Sequence, residues 1–115
     1  MDIVQNVKLA IENWSRSEMQ DEWYFTSFRE GLINNMDEQE AYVGIDEIIP
    51  LLLDVKNDYV FSEVIEIMME LVRKSNTTEI PPRLRSNWRL ISNTAKTHGG
   101  YAVSRFDELE QFYRI

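Results

Sequence analysis

Asp58-Tyr59-Val60-Phe61-Ser62-Glu63-Val64-Ile65-Glu66-Ile67-Met68-Met69-Glu70-Leu71-Val72-Arg73-Lys74 is the stretch that decides the fold. Phe61, Val64, Ile65, Met68, Leu71 and Val72 recur at intervals of three and four, the spacing that places side chains on one face of an α-helix. Asp58 can cap the start, Arg73 and Lys74 suit the negative end of the helix dipole, and Ser75-Asn76 closes the segment. The pattern predicts one long amphipathic helix.

Upstream, Asp37 with Glu40 three positions later reads as a capping box for a helix carrying Ala41, Ile45, Ile48, Ile49 and Leu52 to about Val55. Pro50 falls inside it. A proline removes a backbone donor and crowds the preceding turn, so a kink or break is expected between Glu47 and Pro50. Before it, Phe25, Phe28 and Leu32 mark a helix from about Glu18 to Ile33, ended by Asn34-Asn35. Ile3, Val7, Ala10, Ile11 and Trp14 mark another from Asp2 to Trp14, with Asp2 and Gln5 as its capping box. Downstream, Pro81-Pro82 introduces a fifth helix with Leu84, Trp88, Ile91 and Ala95, stopped by Gly99-Gly100. A sixth spans about Ala102 to Tyr113.

Six helices joined by short turns should pair in order, first with second, third with fourth and fifth with sixth. At 115 residues the chain is expected to be one all-α domain, residues 1–115, built of three antiparallel hairpins as a HEAT-like α-solenoid or a compact helical bundle. No strand pattern competes.

Composition narrows the function. Without cysteine there is no disulfide, thiolate metal site or cysteine nucleophile, and a reducing compartment is the expected home. Met1 to Gln5 lacks the features of a signal peptide, and no apolar run approaches the roughly 18 residues of a membrane span, so a cytoplasmic location is expected and the sequons at Asn13 and Asn76 read as incidental. The net charge of −8 is concentrated at the front: residues 1–49 hold 11 carboxylates and 3 cations, whereas residues 79–115 hold 4 and 6. Such a face repels nucleic acid and anionic membranes and attracts cationic proteins.

In the third and fourth helices, Pro50 is followed eight positions later by Asp58 at the turn. This resembles a HEAT-type repeat, with Glu63-Val64 departing from the usual Val-Arg. The chain as a whole is short, acidic and helical, with Ser75-Asn76-Thr77-Thr78-Glu79-Ile80-Pro81-Pro82 before the last hairpin and Asp107-Glu108-Leu109-Glu110-Gln111-Phe112-Tyr113-Arg114 at its end. In this it resembles bacterial immunity proteins, the small inhibitors of polymorphic and contact-dependent toxins. The resemblance implies a cognate toxin domain as partner, a chain that is a monomer before the complex forms, and no enzymatic activity or cofactor.

Individual residues agree with binding rather than catalysis. His98, the only histidine, sits at a helix end where the last carbonyls are the expected partners, and one histidine without cysteine builds no zinc site. The carboxylates Asp21, Glu22, Asp37, Glu38, Glu40, Asp46 and Glu47 suit a cationic partner better than sugar hydrolysis, which needs a deep aromatic cleft. Trp23, Tyr24, Tyr42 and Tyr59 stand off the core stripes beside acidic residues, as interface anchors do. Arg83, Arg85 and Arg89 flank Trp88 in a loose patch, expected to pair with the acidic front or with a partner's carboxylates rather than with nucleic acid. The alternative function is that of a HEAT-like adaptor or regulatory subunit.

Overall fold

The helix read from residues 58–74 is the axis of the molecule. A computed structural model describes residues 2–17 and 23–114 and forms α1 (Ile3–Arg16), α2 (Tyr24–Asn34), α3 (Glu38–Asp54), α4 (Asp58–Ser75), α5 (Pro82–Ser86), α6 (Trp88–Thr97) and α7 (Gly100–Tyr113). It is an all-α bundle of 41 × 32 × 20 Å. α4 packs against α3, α2 and α7, which buries Val60, Phe61, Val64, Ile65, Ile67, Met68, Met69, Leu71 and Val72 around most of its circumference. α1 and α5 lie on α3, and α6 lies on α7, so the helices form two rows, α1–α3–α5 and α2–α4–α7. Among the described residues no helix is long and apolar enough to cross a membrane.

The order of pairing therefore differs from the expected one at the front. α1 and α2 touch little, and each rests on the central hairpin instead. α1 approaches α3 closely at Gly44, where an added Cβ would lie 3.3 Å from Ile3 Cδ1. The last hairpin differs as well: the expected fifth helix is two, divided at Asn87. Asn87 Nδ2 and Ser86 Oγ both donate to the Arg83 carbonyl, at 2.8 and 3.3 Å, which closes α5 locally before Trp88 starts α6. Such side-chain bonds compete with helix propagation.

Pro50 does not break α3, which continues to Asp54. The proline is exposed while its neighbours Ile48, Ile49 and Leu52 are buried, so packing holds the helix together across the missing donor. The capping box at its start forms as expected. Asp37 Oδ1 accepts from Glu40 N at 2.8 Å and Glu40 Oε1 from Asp37 N at 3.2 Å. Asp2 caps α1 as expected, and the cap of α4 shifts by one residue. Asp2 Oδ1 accepts from Val4 N, and α4 is capped by Asn57 rather than Asp58, Asn57 Oδ1 accepting from Val60 N at 3.0 Å.

Asp58 is instead the partner of His98, with Nδ1 and Oδ1 2.7 Å apart and the imidazole stacked on Phe61 at 4.2 Å. His98 therefore ties the start of α4 to the end of α6 rather than serving the last carbonyls of its own helix.

Asp46 has the most demanding structural task. Pro81 and Pro82 carry no N–H, so the first amides of α5 that need an acceptor are Arg83 and Leu84. Asp46 reaches across from α3 and accepts both, at 3.0 and 2.9 Å. Asp46→Ala removes both acceptors and is expected to cost about 2 kcal/mol, a fall in Tm of about 8 °C in a thermal melt, with Asp46→Asn less harmful because one acceptor oxygen survives.

Tyr113 carries the opposite signature, a buried hydroxyl with no hydrogen-bond partner among the described residues. Burial raises its phenol well above the usual tyrosine value, with Tyr42 and Asp46 adding to the shift. Because the folded value is the higher one, stability is retained below about pH 10 and declines as pH rises further. Tyr113→Phe should be neutral or stabilising by up to about 1 kcal/mol near neutrality and should reduce that alkaline loss in denaturant titrations.

Candidate partner interface

The outward stripe of α3 runs through Glu40, Val43, Glu47, Pro50 and Asp54, all exposed, over a length of about 21 Å at 1.5 Å per residue. Its three carboxylates are seven residues apart, which on a helix returns each to nearly the same direction. Val43, 45% exposed, is the apolar group among them. The groups differ in their surroundings. Asp54 shares a groove of about 410 Å³ at the α1–α3 end with Glu12, Lys8 and Lys56, so charge there is mixed. Among the described residues, Asp37, Glu38, Glu40 and Glu47 have no cation within ion-pair distance. The carboxylates without an ion-pair partner are therefore grouped on the first half of α3.

Beside that half lies a second groove, about 450 Å³, between α1 and α2. Phe28, Leu32 and Met36 supply its apolar surface, Asn6 and Asn35 its polar rim, and Glu40 borders it. Asn35 Nδ2 donates to the Gly31 carbonyl at 2.8 Å, which finishes α2 and sets that edge.

Ion pairs lie elsewhere. Arg29 of α2 meets Glu63 at 3.2 Å, Arg105 of α7 meets Glu66 at 3.1 Å and Glu108 at 2.5 Å, and Arg73 meets Glu70 at 2.7 Å and Glu108 at 3.3 Å. All belong to the α2–α4–α7 row. Among the described residues the remaining pair is His98 with Asp58, so none falls on α1, α3 or α5. Burial outweighs the pull of Arg29 at Glu63 and leaves its carboxyl above the usual value, while the Tyr59 hydroxyl donates to the same group. This half-buried pair satisfies charge more than it adds stability.

The expected interface residues are thus distributed over three places. Asp37, Glu38, Glu40 and Glu47 share the acidic half of α3. Trp23, Tyr24 and Tyr59 gather at the far end of the bundle, where Trp14 packs at a tilt against Tyr59 at 5.2 Å and Phe25 lies 5.4 Å from Tyr24 and 6.1 Å from Tyr59. Tyr24 is only half-exposed there, whereas Trp23 is 64% exposed. Tyr42 and Asp46 face α5, Tyr42 half-buried and Asp46 occupied by the Arg83 and Leu84 amides. Asp21 and Glu22 lie outside the described residues.

Val43 and the α1–α2 groove were not read from the sequence. The seven-residue spacing of Glu40, Glu47 and Asp54 is a signal that could have marked the stripe. Among the described residues no three His, Asp or Glu side chains converge as a metal set. No family model matches this chain, and neither a curated protein nor a solved structure matches it.

The exposed and buried aromatics should separate in a stability assay. Trp23→Ala should change unfolding free energy by no more than about 0.5 kcal/mol, whereas Phe25→Ala, at 1% exposure, should cost about 3 kcal/mol in urea titrations.

Proposed function

We propose that this chain is an inhibitor of the immunity type, which binds a cationic toxin domain through the acidic half of α3 and the adjoining α1–α2 groove. The observation that carries the reading is the uneven use of charge. Among the described residues the arginines of α2, α4 and α7 pair with carboxylates of their own row, and Glu38, Glu40 and Glu47 have no ion-pair partner. Unpaired carboxylates on a rigid helix attract a basic surface and raise its association rate, while Val43 and the apolar groove provide the desolvated contact that long-range charge does not. A nuclease is a suitable target, because a carboxylate row can occupy a groove made for phosphate. No catalytic step and no cofactor enter this mechanism, and a cytoplasmic monomer that meets the toxin after its entry suits it.

The experiment is to recover the bound protein from the native host, purify it and measure its affinity against salt. The partner should be a basic toxin domain, its Kd should rise steeply with ionic strength, and Glu38→Lys and Glu47→Lys should each weaken binding about tenfold, or about 1.4 kcal/mol. Affinity indifferent to salt and to both substitutions would defeat the proposal.

The two-row arrangement of helices favours a second reading, a HEAT-like adaptor that grips its partner by shape. That reading expects weak salt dependence and a partner without a basic surface.

A further inference from the structure

We propose that the outer surface of α5 and the first turns of α6 is a second docking surface, which takes an acidic, leucine-bearing protein segment through Arg83, Arg85, Arg89 and Leu90. Residues 80–106 hold Arg83, Arg85, Arg89, Lys96 and Arg105 and no carboxylate, within a chain that has 20 acidic side chains. Of these five, only Arg105 has an ion-pair partner among the described residues. Arg83, Arg85 and Arg89 are exposed and make no ion pair among the described residues, although α5 packs directly on the acidic helix α3. The expected pairing with the protein's own acidic front is therefore not made, and these guanidinium groups remain available to carboxylates from outside.

The support beneath them is rigid. Asp46 holds the Arg83 and Leu84 amides, Ser86 and Asn87 bond back to the Arg83 carbonyl, and Leu84 is fully buried. Leu84 is the one inward residue of α5, so the positions on either side are turned outward. Leu90, 52% exposed, sits directly after Arg89. A planar guanidinium fork matches a carboxylate in two parallel hydrogen bonds, and an exposed leucine beside it rewards an apolar side chain two or three residues away on the partner.

The same features argue against nucleic acid. Trp88, which could have stacked on a base, is packed on Phe106 at 4.8 Å and on Tyr113 at 6.1 Å. No aromatic ring is exposed on α5 or α6, so the arginines have no stacking platform for bases beside them.

The whole chain is titrated at low salt into three fluorescein-labelled probes: a short peptide of repeating Glu-Glu-Leu, its Gln-Gln-Leu counterpart, and an oligo-uridine of similar length. Anisotropy should report the Glu-Glu-Leu peptide bound at least about tenfold tighter than either of the others. Arg85→Glu with Arg89→Glu should abolish that preference, Leu90→Ser should weaken it several-fold, and Glu47→Gln on the other face should leave it unchanged. Both arginines are exposed, and a thermal melt close to that of the parent shows the double variant folded. The inference is overturned if the Gln-Gln-Leu peptide binds as well, if oligo-uridine binds more tightly, if no probe binds, or if the double variant keeps the affinity.

Discussion

Burial of α4 on three sides is the constraint from which the rest of the arrangement follows. A helix covered by α3, α2 and α7 leaves only a narrow strip for polar side chains, and on α4 that strip is Glu63, Glu66 and Glu70. Half-buried carboxylates need compensation, and it comes from Arg29 on α2, Arg105 on α7 and Arg73 on α4 itself. The strip thus takes up cations that would otherwise spread over the surface. α3 has no such requirement on its outward side, because Glu40, Glu47 and Asp54 stay hydrated. The uneven surface charge is in this sense a product of packing.

A second dependency joins the two rows. A helix introduced by two prolines has its first free N–H groups at Arg83 and Leu84, so α5 needs an acceptor for them, and Asp46 provides it from the middle of α3. One carboxylate of the acidic front is thereby used to seat the longest carboxylate-free stretch of the chain. The His98–Asp58 contact plays a similar part at the other end of the molecule, joining α6 to the start of α4.

Much of the fold was legible in the sequence because helical spacing and cap residues are local signals. The run from Phe61 to Val72, the capping box of Asp37 and Glu40 and the end of α2 at Asn35 all appear where spacing places them. Other features depend on contacts that spacing does not encode. The roles of Asp46 and His98 rest on partners 37 to 40 residues away, and the packing of α1 on α3 depends on space rather than on chain order. The division at Asn87 was hidden by a competing local signal, since Leu84, Trp88, Ile91 and Ala95 keep helical period across the break. Asn57 and Asp58 are both good cap residues in adjacent positions, and the cap falls to the first because the second meets His98. For the interface, residue type marked the acidic half of α3, but grouping it with the aromatic end and with Tyr42 mixed three surroundings that only the packed chain separates.

Gly44 gives the absence of one methyl group a reach beyond its own position. It lets the isoleucine at the start of α1 settle against α3 and Leu71. The width of the cleft beside α2 is therefore adjustable from within, by residue volume at a buried point that no partner touches. A lineage could retune the shape it offers a guest while its outward chemistry stayed the same.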